Sequence, residues 1–548
     1  PGGDQGVSDG ELRREEPGGS ASWDSHVVEN LEKSFLDGQK VDFFIGSPKS
    51  LYDCAHESAE NNPDKIFLID ETDASYTFLQ TFSDATRYAY FLKKTYGIRK
   101  GDRIGLLLDT SYTSLAMILA INALGAISVM LPTKYKINEI ALLVEKTTPK
   151  LIIYGDKFSL LPDFEVPNLK LFKISKGALD LTEEAYKENL SCLETNLEDP
   201  AIIIFTSGTT SQAKGVILKN YNVIHAIVSY ARILGFSGDD SSVLCTPMYY
   251  VTGLIAIFGL LLFLGGTIYI HSKFNAVRVL ETVRRHKITF LHGSPTVFYL
   301  LLNEQGSFPV LPSLKKIICG SSNLPKDRIS DIYRWLPEVD IRTVYGLTET
   351  SSPGTIMPHN TATSSAIGSS GKPIPGFSVK IVDNTGNTLG QNQHGEILVK
   401  GTNVFNHYYG IDDSPLINGW FPTGDIGYIN SLNYLFIVDR KKNMINRGGE
   451  KIWSYDIENE LCNIPGIIDA AVVAIPDEKY GEIPAAAVVQ NHENKRTKSE
   501  IINHLKTRLA NFQIPERILF LREIPQTANL KQDKKKIVNL FLSREKEE

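Results

Sequence analysis

The chain has 548 residues, enough for roughly three or four domain-sized units, and its 42% hydrophobic and 22% charged content is ordinary for a globular protein. Lys plus Arg number 57 against 63 Asp plus Glu, a formal charge of −6 that speaks against nucleic acid as the main partner. The five cysteines (Cys54, Cys192, Cys245, Cys319 and Cys462) form no CxxC pair, which argues against a zinc ribbon or a disulfide scaffold and fits a reducing, cytoplasmic compartment.

In chain order, residues 1–22 are rich in Gly, Glu, Asp and Arg and lack an apolar h-region, so they read as a disordered tail or a remnant rather than a signal peptide. From residue 102 onward, strand and helix signals alternate. Apolar runs at 104–108, 127–131, 151–154, 201–205, 288–291 and 315–319 predict strands, with helices at 111–126, 137–146, 222–234, 295–302 and 326–335. This alternation predicts parallel βαβ units with helices on both faces of a sheet. The uncharged run 253–270 reaches the lower length limit of a membrane helix, but its internal glycines and β-branched, aromatic end predict a buried helix followed by a buried strand. Beyond about residue 370 the strands shorten and turns cluster, with 383–387 as a hairpin loop. The last hundred residues predict helices at 455–461 and 498–509 and strands at 470–475 and 485–489, a small α+β unit. The fold class expected is α/β: a large N-terminal domain (23–439) of mixed and parallel sheets layered with helices, with a β-rich subdomain at about 370–439, then a hinge at 440–442 and a small mobile α+β domain at 443–548.

The strongest local signal follows the strand at 201–205. Thr206-Ser207-Gly208-Thr209-Thr210-Ser211-Gln212-Ala213-Lys214-Gly215 is a small, hydroxyl-rich loop leading into a second apolar run. Glycines let backbone N–H groups approach an anion, and hydroxyls add donors for phosphate oxygens. A Walker A loop fits poorly, since Lys214 has neither a preceding Gly nor a following Ser or Thr. Taken alone, the segment reads equally as an anion-binding loop or as a polar hairpin loop.

This loop resembles the phosphate loop of the adenylate-forming superfamily, which joins acyl- and aryl-CoA synthetases, peptide-synthetase adenylation domains and beetle luciferases. The usual pattern is TSGTTGxPKG; here Ser211 stands for Gly and Ala213 for Pro. Four further segments occur in that family's order: Tyr345-Gly346-Leu347-Thr348-Glu349-Thr350, Gly419-Trp420-Phe421-Pro422-Thr423-Gly424-Asp425, Asp439-Arg440-Lys441-Lys442 and Arg447-Gly448-Gly449-Glu450-Lys451-Ile452. The resemblance spans residues from about 45 to 540.

The resemblance implies a role for each matching residue. Thr206, Ser207, Gly208, Thr209 and Thr210 would cradle phosphate, with Lys214 as a catalytic cation. Gly320, Ser321 and Ser322 would form the adenine pocket, where Asn323 replaces a common proline. Tyr345 would face adenine beside Gly346, Thr348 would bind the α-phosphate, and Glu349 would hold Mg2+, a hard cation that suits carboxylate and phosphate oxygens together. Asp425 would accept both ribose hydroxyls, as a carboxylate's lone pairs allow, and Arg440 would contact the ribose. Lys442 takes the hinge position. Gly448 and Gly449 would leave room for a thiol arm. Pro525, Thr527 and Lys531 align with the segment carrying the adenylation lysine, with Leu530 in place of glycine; Lys531 would neutralise charge as the anhydride forms. Lys534 is the next candidate, within the charge run 534–536.

The implied activity is an AMP-forming acid–CoA ligase. A carboxylate attacks ATP at the α-phosphorus, releasing pyrophosphate, and the acyl group of the acyl-adenylate then passes to coenzyme A. Two alternatives stand beside it: a ligase loading a phosphopantetheinyl carrier protein, and a nucleotide-binding pseudoenzyme. Tyr250 and Gly253, in Pro247-Met248-Tyr249-Tyr250-Val251-Thr252-Gly253, align with the acid-pocket segment. No aspartate lies there, which disfavours amino acids and leaves fatty, aryl and short branched acids open; a fatty acid would bring peripheral membrane contact.

Overall fold

The computed structural model describes residues 23–158, 164, 166–174, 195–206, 213–321, 324–491, 494–527 and 531–544. The tail at 1–22, Cys192, Leu530 and the expected site residues Ser207, Gly208, Thr209, Thr210 and Ser322 lie outside the described residues.

Two large sheets form the body of the chain. The first runs Gly215–Lys219, Pro200–Phe205, Ile127–Met130, Arg103–Leu107, Leu151–Gly155, Lys170–Ile174. All its pairings are parallel except the first, which is antiparallel, so the two strands flanking the candidate phosphate loop run in opposite directions. The second sheet has nine strands, parallel from Asp340–Tyr345 through Ile66–Ile69, with antiparallel strands at both edges. Both sheets are therefore parallel at their centres with antiparallel strands at one or both edges, in keeping with the expected mixed and parallel sheets. The short edge strands carry no periodic signal of their own.

The helices between the strands follow from local chemistry. Helix Tyr112–Ala123 is buried on every side, as its apolar composition requires, and starts in a capping box formed by Ser111 and Ser114. The run 253–270 is a buried π-helix, Thr252–Gly259, continuing as α-helix Leu260–Leu264, followed by strand Thr267–Ile270. Among the described residues, no helix is long and apolar enough to cross a membrane. The N-terminal hairpin Leu31–Leu36/Gln39–Phe44 and helices Leu51–Asn61 and Phe78–Tyr96 precede the region where alternation becomes readable.

A four-stranded antiparallel sheet follows, in the order Phe377–Val382, Gly395–Gly401, Phe421–Ile429, Leu435–Arg440. The turn expected at 383–387 forms, with Asp383 accepting from Thr385 and Asn387. It leads only to a single bridge at Thr388; the strand that pairs with Phe377–Val382 begins at Gly395. The C-terminal sheet of five strands, centred on Ile467–Asp477 and Gly481–Gln490, packs between helices on two separate apolar layers. Helix Lys498–Lys506 stops three residues short of the expected end. The fold is thus α/β with a large N-terminal part and a small α+β C-terminal part.

Candidate active site

The strand Asp340–Tyr345 and the antiparallel pair Phe421–Ile429/Leu435–Arg440 bring three of the expected residues together. Tyr345 donates its hydroxyl to Asp425 Oδ2 at 2.7 Å, and Arg440 Nε meets Asp425 Oδ1 at 3.0 Å. Asp425 and Arg440 face each other because they are register partners across the sheet. Asp425 is only 3% exposed, and each of its oxygens keeps a lone pair after these contacts, so ribose hydroxyls can still donate to it. Burial, together with the Asp425 charge, pushes the Tyr345 phenol well above its ordinary range and keeps it a donor.

Beyond Tyr345 the chain turns sharply. A Cβ on Gly346 would stand 1.6 Å from the Ser352 carbonyl oxygen, so only glycine fits. The 3-10 turn Thr348–Thr350 follows, braced by Asn403 Nδ2, which donates to the Thr350 and Pro353 carbonyls at 2.7 and 2.6 Å. This leaves Thr348 and Glu349 half-buried at the surface of the site. Tyr408 donates to Glu349 Oε1 at 3.0 Å, and the Lys214 ammonium lies 4.8 Å from the centre of the same Tyr408 ring. Thr206 and Lys214 extend the pairing of these two flanking strands, with Thr206 N donating to the Lys214 carbonyl at 3.0 Å. Residues 207–212 lie outside the described residues, so the two readings of the loop stay open, while Lys214 projects toward Tyr408, the partner of Glu349.

Lys531 comes from the C-terminal part. Its loop is pinned on both sides: Thr527 N donates to the Lys531 carbonyl at 2.7 Å, and Asp533 N donates to the Pro525 carbonyl at 2.7 Å. Burial, reinforced by Arg440 and opposed by Asp425 and Glu349, pushes its ammonium down to about 8. Lys531 thus stands among the same charged groups that Tyr345 and Tyr408 hold. Lys534 does not join them: its ammonium is taken by Ser454 Oγ at 2.7 Å and Glu458 Oε1 at 2.8 Å.

Gly320 and Ser321 end the strand Lys316–Cys319; a Cβ on Gly320 would overlap Val344 Cγ2 at 2.6 Å, leaving a bare backbone floor there. Tyr250 and Gly253 form a separate wall at the start of the π-helix. Tyr250 packs edge-on against Tyr249 with ring centres 4.7 Å apart, and Gly253 lets the helix approach the Thr246 carbonyl, which a Cβ would meet at 2.8 Å. Lys442 is exposed in the 3-10 turn Lys441–Asn443. Gly448 and Gly449 form the two-residue turn of the hairpin Ile445–Arg447/Glu450–Ile452, both at positive φ (58° and 97°), so hairpin geometry already demands glycine at both. Both are exposed, and their hairpin contacts Tyr480, Phe512 and Glu516 of the C-terminal part rather than the Tyr345–Lys531 cluster.

Two residues of the site have no counterpart in the sequence reading. Tyr408 lies 59 residues from Glu349, in an aromatic and polar stretch, Phe405-Asn406-His407-Tyr408-Tyr409, that was the only signal for it. His292, on Phe290–Gly293, is buried edge-on to Tyr230, with its Nε2 3.8 Å from where a Gly320 Cβ would stand; burial pushes its imidazole down to about 3, so it is neutral. Nothing in its sequence context separates it from a core histidine.

The donor set suits magnesium. Glu349 offers one half-buried carboxylate, and no group of three or more His, Cys, Asp or Glu capable of holding a metal occurs among the described residues. A cation bound by one carboxylate plus substrate phosphates, as Mg2+ commonly is, fits this arrangement, whereas an all-protein cage does not.

The AMP-binding enzyme family matches residues 55–409, and the AMP-binding enzyme C-terminal domain matches residues 456–531. The chain belongs to the AMP-binding enzyme family. Within it, the chain is 31% identical to the 2-succinylbenzoate–CoA ligase of Bacillus velezensis over 87% of this chain and 95% of the relative. It is 28% identical to a feruloyl-CoA synthase of an Amycolatopsis species, over 79% of this chain and 87% of that one. The o-succinylbenzoate CoA synthetase of Bacillus subtilis, solved with its acyl-adenylate intermediate, has a TM-score of 0.77 and 27% identity, covering 88% of this chain and 97% of that one. The same enzyme has been solved in complex with ATP and a magnesium ion. This AMP-binding enzyme is an AMP-forming acid–CoA ligase, with ATP, Mg2+ and CoA as the expected cofactors.

Proposed function

We propose that the chain activates a carboxylic acid at the Tyr345–Asp425–Arg440–Lys531 cluster and completes transfer to CoA after its C-terminal unit, residues 443–548, moves about a hinge at 440–442. The observation that carries this reading is Lys531: a lysine from the last sheet's unit, whose buried ammonium feels the charges of Asp425 and Glu349 of the large part and of Arg440 at the junction. Gly320 and Gly346 supply bare backbone for the base and phosphates, Asp425 accepts the ribose hydroxyls, and Thr348 donates to the α-phosphate. Magnesium, held by Glu349, would supply charge neutralisation on the phosphates. Lys531 holds a proton beside the acid carboxylate and α-phosphate, so the negative charge on the α-phosphoryl oxygens meets a fixed ammonium as the carboxylate–phosphorus bond forms and the bond to pyrophosphate breaks. No residue is needed as a covalent nucleophile, and catalysis is positioning and charge compensation.

The relatives named for 2-succinylbenzoate and ferulate support an aryl-bearing acid, and the edge-on pair Tyr249 and Tyr250 in the acid-pocket segment suits one. The need for ATP and CoA supports a cytoplasmic site of action. The test is a panel of 2-succinylbenzoate, ferulate, benzoate and straight-chain fatty acids with ATP and Mg2+, scored by acid-dependent pyrophosphate release and then by thioester formation with free CoA. Thioester formation only on a phosphopantetheinyl carrier protein would transfer the reading to carrier loading. Absence of any acid-dependent exchange would favour a nucleotide-binding pseudoenzyme.

A further inference from the structure

Helix Ser454–Cys462 belongs to the C-terminal part, yet both of its ends are held by side chains of the large part. At its start, Asp439 Oδ2 accepts from Ser454 Oγ at 2.8 Å and from Tyr455 N at 3.1 Å, while Trp453 at the cap position makes no side-chain bond. At its end, Arg328 Nη2 donates to the Cys462 carbonyl and, at 2.9 Å, to the Ile467 carbonyl just beyond. An anion at the first turn and a cation at the last both match the helix dipole.

Arg328 is arranged for this contact by its own surroundings. It projects from helix Lys326–Trp335, its guanidinium lies 5.3 Å from the centre of the Tyr299 ring, and Asp331 sits 3.5 Å away. A cavity of about 80 Å3, lined by Tyr299, Leu302, Gly466 and Ile468 among others, opens beside it. The packing across this junction leaves that gap beside the charged hydrogen bonds. The helix they grip leads directly to the catalytic loop: Ser454 and Glu458 hold the ammonium of Lys534, three residues after Lys531.

We infer that Arg328, with Asp439 at the opposite end, is a positioning residue for acid activation: the pair clamps helix Ser454–Cys462 and so holds Lys531 against Asp425 and Glu349. This rests on the reading of Lys531 given above. In the clamped arrangement the Gly448–Gly449 turn stays exposed and away from the cluster. The clamp must therefore open before that turn can reach the site.

The test uses the full chain and the variants Arg328→Ala and Arg328→Lys, the second keeping the charge but losing the planar fork. The first readout is trypsin cleavage after the exposed Lys441 and Lys442 in the presence of Mg·ATP. Cleavage should rise about tenfold in Arg328→Ala and less in Arg328→Lys, within the range usual for coupling between two states. The second uses whichever acid of the panel releases pyrophosphate. That release should fall about 10- to 100-fold, while conversion of the supplied acyl-adenylate and CoA to thioester stays within about twofold or rises. Unchanged trypsin cleavage in both variants, or equal loss of the two half-reactions at an unaltered melting temperature, overturns the clamp. If the unmodified chain activates no acid, the functional reading fails, and the trypsin comparison alone decides the clamp. If Arg328→Ala does not fold, Arg328→Lys decides it.

Discussion

Replacing Lys531 tests the site where its geometry is most specific. Its ammonium sits at about 8, pushed down by burial and by Arg440. In the free enzyme it is then roughly nine-tenths protonated at pH 7 and one-tenth at pH 9. Because the folded value lies below that of the unfolded chain, folding releases a proton between those values, so loss of the charged form belongs to the alkaline side. The kcat/KM for ATP in acid-dependent pyrophosphate release, which reports the free enzyme, should therefore fall about tenfold per pH unit above about 8. Bound triphosphate adds negative charge beside the ammonium and raises its pKa, so the fall in kcat should begin at higher pH. Lys531→Ala should lower pyrophosphate release by roughly 10²–10³ at pH 7, as expected for one preorganised donor, and flatten the alkaline limb. Lys531→Arg should lose less at pH 7 and move the limb beyond pH 10, since a guanidinium does not titrate there. Both variants should convert supplied acyl-adenylate and CoA at near-normal rate. An alkaline limb that persists unchanged in Lys531→Arg would refute the assignment, as would a silent Lys531→Ala.

Glu349→Gln keeps the shape of the side chain and removes its charge; pyrophosphate release should drop at least about 100-fold with a higher Mg2+ requirement, and near-normal magnesium-dependent turnover would reject the metal assignment. Gly346→Ala places a methyl 1.6 Å from the Ser352 carbonyl oxygen. It should cost about 3 kcal/mol or more and abolish activity, checked by thermal melting and pyrophosphate release. Lys442→Pro fixes φ in the exposed segment; thioester formation should slow more than pyrophosphate release, and equal slowing would move the hinge elsewhere.

Short-range information in the sequence determined the strand–helix alternation from residue 102, the buried character of 253–270 and the five motif segments, because each is written within about a dozen consecutive residues. It also marked Tyr345, Glu349, Asp425, Arg440 and Lys531 one by one. What only the tertiary structure decided are the pairs between distant residues. Tyr345 meets Asp425 across 80 positions, Tyr408 meets Glu349 across 59, and Arg328 reaches Cys462 across 134. Such pairs depend on strand order and sheet register, which local periodicity does not encode. The same holds for the two lysines that the sequence left as successive candidates. Lys531 and Lys534 are three positions apart and chemically alike. Lys531 feels the charges of Asp425 and Glu349 while Lys534 is spent on Ser454 and Glu458, because Lys531 precedes helix Lys534–Arg544 and Lys534 opens it.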